Sequence, residues 1–186
     1  MAPRVKVTKE DIVKAAFDVV RKSGAHNLNA RTVALELNCS TQPIFSNFET
    51  MKELQLAVVE KADALCREYI SREIERGEFP PFKASGMAYI RFAKEESELF
   101  KLLYMRNRED EDCEKQLELG REIENIIHNN TGLEGDEVKL FHLEMWAYVH
   151  GIAVMFATGF LDLDWELVSK MLTDAYQGLR KQYGME

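Results

Sequence analysis

Apolar residues recur at helical period along almost the whole chain, and the breaks between these runs divide it into about nine segments. In the first run, Ala15, Ala16, Val19 and Val20 follow Ile12 at offsets that put all five on one helical stripe, which Phe17 widens. Thr8, with Asp11 three positions on, approximates a capping box at its start. Arg21 and Lys22 fall in the last turn, where cations suit the helix dipole, and Gly24 ends the run. Val33, Ala34 and Leu37 then precede a break at Asn38-Cys39-Ser40, and Ile44, Phe45 and Phe48 follow it. This spacing predicts two short helices joined by a tight turn. Asn29 is the expected cap of the first. Asn38 can end it, because Asn tolerates a left-handed conformation, and Ser40 is expected to cap the second. Pro43 would then take the third helical position, where a missing N–H has no intrahelical partner in any case. A fourth run, from about Met51 to Arg76, carries Leu54, Ala57, Val58, Ala62, Leu65 and Tyr69 along one side and predicts a helix of roughly 40 Å. Pro80-Pro81 marks the next boundary. No β pattern competes, so the expected fold is all-α. It comprises a three-helix head over residues 1–50 and a helical bundle body over 51–186.

Composition supports a packed chain. Its 186 residues, 46% of them hydrophobic, can bury a substantial core. Cys39, Cys66 and Cys113 are odd in number and widely spaced, which indicates neither a disulfide framework nor a metal motif and fits a reducing cytoplasm. The N-terminus lacks the apolar stretch of a signal peptide, and no run of about 18 uncharged apolar residues is present, so no membrane role is expected. Net charge is -8, but it is unevenly spread. Residues 1–55 hold eight Lys/Arg and six Asp/Glu, against 16 and 26 in the remainder. A basic head on an acidic body is compatible with nucleic acid, since screening confines the body's repulsion to about 8 Å.

The head carries the most specific chemistry. On the second short helix, Thr41, Gln42, Ser46 and Asn47 remain outside the apolar face. Such short uncharged donors and acceptors near a helix N-terminus suit base edges, while the N-terminus itself suits phosphate. From spacing alone, an ordinary helical corner fits the two short helices equally well. The run Asn38-Cys39-Ser40-Thr41-Gln42-Pro43-Ile44-Phe45-Ser46-Asn47-Phe48, followed by Lys52-Glu53-Leu54, adds a sharper signal. Residues 8–54 resemble the DNA-binding domain of TetR-family transcriptional regulators. Two departures stand out: Asn38 replaces the usual turn glycine, and Phe45 stands where the family usually has a tyrosine that reaches a phosphate. The resemblance implies double-stranded DNA as the partner, with Arg31, Ser40, Thr41, Gln42, Phe45, Ser46, Asn47 and Lys52 as contacts. Lys52 holds phosphate in that scheme.

In the body, residues 87–105 and 145–159 are similar to a TetR subfamily that carries Trp and then His-Gly on its penultimate helix, here Trp146, His150 and Gly151. That helix is apolar on nearly every side from Leu143 to Phe160, so it should be covered twice, most simply by its own chain and by a second subunit. On the last helix, Trp165, Val168, Leu172, Ala175 and Leu179 alternate steps of three and four, as in a helix-pairing seam. Two such helices from each of two subunits would build a four-helix homodimer interface, suited to a two-fold operator. Phe92, Phe100, Leu103, Tyr104, Trp146 and His150 are the candidate lining of a site for a largely apolar effector, although aromatic residues at helical spacing are more often plain core. His142 and His150 lack the ligand between them that a compact metal site needs, and the acidic run Glu109–Asp112 reads as a solvated loop. No metal or cofactor is expected. The leading expectation is a ligand-released repressor. The alternatives are an effector-independent DNA-binding protein and a helical enzyme, and no catalytic arrangement stands out to favour the last.

Overall fold

The computed structural model describes residues 7–106 and 114–185, which form nine α-helices, one 3-10 turn and no strands. The helices are α1 (Lys9–Ser23), α2 (Ala30–Glu36), α3 (Gln42–Asn47), α4 (Met51–Arg76), α5 (Pro81–Glu95), α6 (Ser97–Tyr104), α7 (Glu114–Thr131), α8 (Asp136–Ala157) and α9 (Trp165–Gln182), with the 3-10 turn at Ala25–Asn27. The all-α expectation and the helix number hold. The acidic run at 109–112 and Cys113 lie outside the described residues.

The chain divides into two compact units. One comprises residues 1–66 and 96–106, the other 67–95 and 107–186. The first unit therefore extends beyond the head expected at residues 1–50. Its α1 starts on a complete capping box, in which Thr8 Oγ1 accepts from the Asp11 amide while the Asp11 carboxylate accepts from the Thr8 amide. The stripe expected from the sequence, including Phe17, is buried. Gly24 ends the helix at φ 84°, and a side chain there would collide with the Glu98 carboxylate of α6. On the first half of α4, Leu54, Val58, Ala62 and Cys66 are buried in steps of four, so these turns belong to the head's own core. Helix α6 belongs to it too, burying Leu99, Phe100, Leu102 and Leu103. Glu96, at the N-cap position of α6, makes no side-chain cap. Its buried carboxylate is engaged instead by Arg21 of α1, through Nε at 2.6 Å and through a second bond from Nη2. This paired geometry is what makes a buried carboxylate tolerable.

In the second unit α5 lies along α8, with α7 and α9 completing the bundle. Gly86 of α5 sits where a Cβ would touch Val149 and Leu172 at 3.4 Å, so it permits the close approach of α8 and α9. A second cluster of Ile127, Leu133, Val138, Phe141 and Met145 joins α7 to α8 and is covered by Ala175, Tyr176 and Leu179 of α9. By length and composition α8 could cross a bilayer, but Val138, Phe141, Met145, Val149, Ile152 and Phe156 form a buried face of this bundle. Glu73 of α4 is also buried, paired with Arg76 at 3.0 Å.

Asn38 takes φ 50°, the one positive value outside glycine among the described residues, and so provides the left-handed turn expected of it. Asn38→Gly should therefore leave stability nearly unchanged, whereas Asn38→Ala should cost about 1 kcal/mol, since an alanine pays for the left-handed geometry without local hydrogen bonding. Chemical denaturation of the two variants should separate them in that order.

Candidate nucleic-acid interface

Helices α2 and α3 are seven and six residues long, too short to be stable alone, so their positions depend on packing. Asn29 caps α2 as expected, accepting from the Arg31 and Thr32 amides. Val33 and Ala34 are buried, and the small Ala34 fits a tight helix crossing. On α3 Ile44 is buried and Phe48, just past its end, is nearly so. Those two apolar groups hold the short helix down.

One local expectation is corrected. Thr41, not Ser40, occupies the N-cap position of α3, and its side chain makes no capping bond. Pro43 is accordingly the second helical residue rather than the third. A capping hydroxyl accepts from the second or third amide, and Pro43 removes the second, which weakens the case for any side-chain cap here. The amide end of α3 is left for other partners.

The polar groups of α3 face outward. Gln42, Phe45 and Ser46 are exposed, Phe45 by 57%, with Thr41 and Asn47 half-buried beside them. Ser46 Oγ donates to the Gln42 carbonyl at 2.9 Å and Asn47 Nδ2 to the Pro43 carbonyl at 2.8 Å, so each keeps its acceptor capacity and Asn47 a second amide hydrogen. Arg31 and Ser40 are exposed, as is Lys52 in the first turn of α4. Leu35 is also exposed, by 78%, on the outer face of α2. All eight expected DNA contacts thus lie in the head's compact unit, on α2, the turn, α3 and the start of α4.

The six residues expected around an effector divide between the units. Phe92, Trp146 and His150 lie in one, Phe100, Leu103 and Tyr104 in the other. Phe92 is fully buried with its ring 5.5 Å from that of Tyr69, edge to face, and Phe100 packs on Tyr104 at 5.1 Å. Trp146 is half exposed and stacks on the His150 imidazole at 4.8 Å, and Tyr89 Oη lies 2.9 Å from His150 Nδ1. Burial holds the His150 pKa below its ordinary value, and burial does the same at His142, where Glu124 opposes it.

The stripe on α9 expected to face a partner is turned inward. Val168 and Leu172 are buried within the unit, Ala175 and Leu179 cover the α7–α8 cluster, and Trp165 stacks on Phe156 at 5.7 Å beneath the Arg91 guanidinium. Val168 and Leu172 of that seam are thus covered by their own chain, while Trp165, Ala175 and Leu179 stay partly exposed. The open apolar face is on α8 instead, where exposed Leu140, Leu143 and Ala147 continue into half-buried Gly151 and Val154 at steps of three and four. At the helix-interior glycines Gly151 of α8 and Gly178 of α9, nothing among the described residues beyond the chain neighbours and the backbone of the same helix lies within 4 Å of where a Cβ would stand. The sequence signal for this face was the mid-helix glycine, which weakens a helix by roughly 0.5–1 kcal/mol unless a close neighbour needs the space.

Against known proteins, the family model described as "Tetracyclin repressor-like, C-terminal domain" matches residues 82–175, about half of the chain. No curated protein matches the sequence. Solved structures similar to this one include a TetR-like transcriptional regulator from Rhodococcus sp. RHA1, with TM-score 0.67 and 16% identity over 96% of this chain and 98% of that one. A TetR-family regulator from Vibrio parahaemolyticus gives 0.65 and 15% over 91% and 96%, and a TetR-family member from Streptomyces coelicolor A3 gives 0.64 and 17% over 90% and 96%.

The depressed His150 pKa has a testable sign. Below 6.5 the unfolded chain binds this proton more readily than the folded one, so acidification through that value should cost stability until the lower folded pKa is reached. His150→Gln should flatten part of the fall in melting temperature on the acid side of 6.5. An NMR titration placing His150 at or above that value would overturn the assignment.

Proposed function

The chain belongs to the TetR family of transcriptional regulators, and from that premise we propose that it is a homodimeric, cytoplasmic repressor that a small, mostly apolar molecule releases from a two-fold operator. The family's proteins are DNA-binding, non-enzymatic transcription factors. The observation that carries the reading is α3, whose inner side is anchored by Ile44 and Phe48 while Gln42, Phe45 and Ser46 stand outward around an N-terminus without a side-chain cap.

In this reading Gln42 reads a base edge, and Phe45 gives apolar contact with a sugar or a thymine methyl but no hydrogen bond to phosphate. Lys52, on the first turn of α4, holds phosphate together with Arg31. The stripe Leu140, Leu143, Ala147, Gly151 and Val154 supports a homodimer built chiefly on α8, because an apolar helix face left in water is the usual mark of an association surface. Gly151 and Gly178 would let the partner's helices approach closely. Two heads then match two half-sites about one helical turn apart. For the effector, the half-exposed Trp146 and the neutral His150 offer a ring face and one hydrogen-bonding group, which fits a mostly apolar molecule. Such a molecule releases DNA only if it binds the DNA-incompetent arrangement more tightly, and tenfold weaker operator binding needs a difference of about 1.4 kcal/mol.

Selecting a duplex from a random-sequence pool with the wild-type protein gives the direct test. On that duplex Gln42→Ala should lose about 1–3 kcal/mol and relax preference at one base position, whereas Lys52→Ala should weaken all sequences alike and lower the salt slope by about one. Identical slopes and base preferences for the two variants would defeat the division of roles, and failure to select any sequence would defeat the reading itself.

Assembly is tested separately. Ala147→Glu introduces a charge on an exposed position, so the fold should survive while the dimer is lost in sedimentation, because like charges would face each other across the two-fold axis. A stable Ala147→Glu dimer would exclude this face.

A further inference from the structure

The joint between α3 and α4 is only Phe48-Glu49-Thr50, yet it must fix where Lys52 stands relative to Gln42. The Glu53 carboxylate ties that joint together. Glu53 Oε2 accepts from the Glu49 amide at 2.9 Å, and the Glu53 amide in turn donates to Thr50 Oγ1 at 3.1 Å. Its other oxygen, Oε1, pairs with Lys9 Nζ of α1 at 2.9 Å, and the same ammonium lies 4.6 Å from the centre of the Phe48 ring. One carboxylate and one ammonium therefore connect the first turn of α1, the end of α3 and the first turn of α4. Lys9 and the Glu49 amide hold the Glu53 carboxyl below its ordinary pKa, so it stays charged.

Building on the DNA-binding reading above, we propose that Lys9 and Glu53 are positioning residues for operator recognition, a clamp that sets the spacing between the base-reading α3 and the phosphate-holding start of α4. Simple electrostatics assigns them other roles. A carboxylate next to Lys52 repels the phosphate backbone, and an exposed lysine on the head attracts it. If charge alone mattered, removing Glu53 would tighten binding and removing Lys9 would loosen it on any sequence. A clamp reverses the first expectation and restricts the second to the specific site, because only the specific complex requires α3 and Lys52 to be in register.

The test uses the full chain, the duplex it selects from a random pool, and a random-sequence duplex of equal length. Glu53→Gln should weaken binding to the selected duplex by about fivefold, a size set by the modest strength of exposed ion pairs, while binding to the random duplex stays equal or tightens. Lys9→Met should produce a similar loss on the selected duplex with an unchanged salt slope. Lys9→Arg should restore it, and the double variant should be no worse than either single one. The proposal is overturned if Glu53→Gln binds the selected duplex as well as or better than the wild type. It is equally overturned if Lys9→Met weakens both duplexes alike with a slope lower by about one, since Lys9 would then be a phosphate contact. A wild-type protein that selects no sequence would instead overturn the DNA-binding reading, which separates the two failures.

Discussion

A six-residue helix cannot hold itself together in water: it closes too few hydrogen bonds to offset the cost of its first turn. Everything that α3 presents outward therefore depends on what fastens it inward. Ile44 and Phe48 are fully buried, and α3 packs against α1. Asn38 turns the chain sharply enough to bring α2 and α3 together, and Lys9 closes over the Phe48 ring. Neither Gln42 nor Ser46 contributes to this anchoring with its side-chain acceptors, which leaves them available for a ligand. The proposed reading surface is thus the polar side of an object whose shape is decided on its apolar side.

The same dependence places several structural roles on α1 at once. One face of it carries Ile12, Ala15, Ala16, Val19 and Val20 for the core, its first turn carries the capping box and Lys9, and its last turn carries Arg21 for Glu96 and Lys22 for Glu36 at 2.7 Å. Each pairing reaches a different element. The Arg21–Glu96 pair, whose carboxylate is buried while its guanidinium is half exposed, differs in kind from the exposed Lys22–Glu36 pair. Losing Arg21 would leave the Glu96 carboxylate uncompensated in the interior, while the latter pair sits in water and is worth little.

What could be read from the sequence was mostly local. Thr8 and Asn29 as caps, the left-handed Asn38, and α4 from Met51 to Arg76 all follow from a few adjacent residues, and the structure has each of them. Periodicity located the apolar stripe of α9 but could not say which molecule would cover it. Val168 and Leu172 are covered by their own chain, and the face left open is on α8, where an almost uniformly apolar sequence hides its own orientation. Ser40 falls one residue outside the N-cap position, and Pro43 removes one of the amides that a capping side chain would accept from. The Arg21–Glu96 pair joins residues 75 positions apart, a separation at which no local pattern carries information.

That long-range pair also determines how the head must be made. Its compact unit is not one continuous piece of chain, because residues 96–106 supply α6 and the partner for Arg21. A ribosome that has delivered α1 to α4 has delivered an incomplete object, without the Glu96 carboxylate that Arg21 engages and with the surface for Leu99, Phe100, Leu102 and Leu103 still open. The head can finish folding only after more than half the protein has emerged, so cutting the gene at the apparent domain boundary would yield a fragment missing part of its own interior.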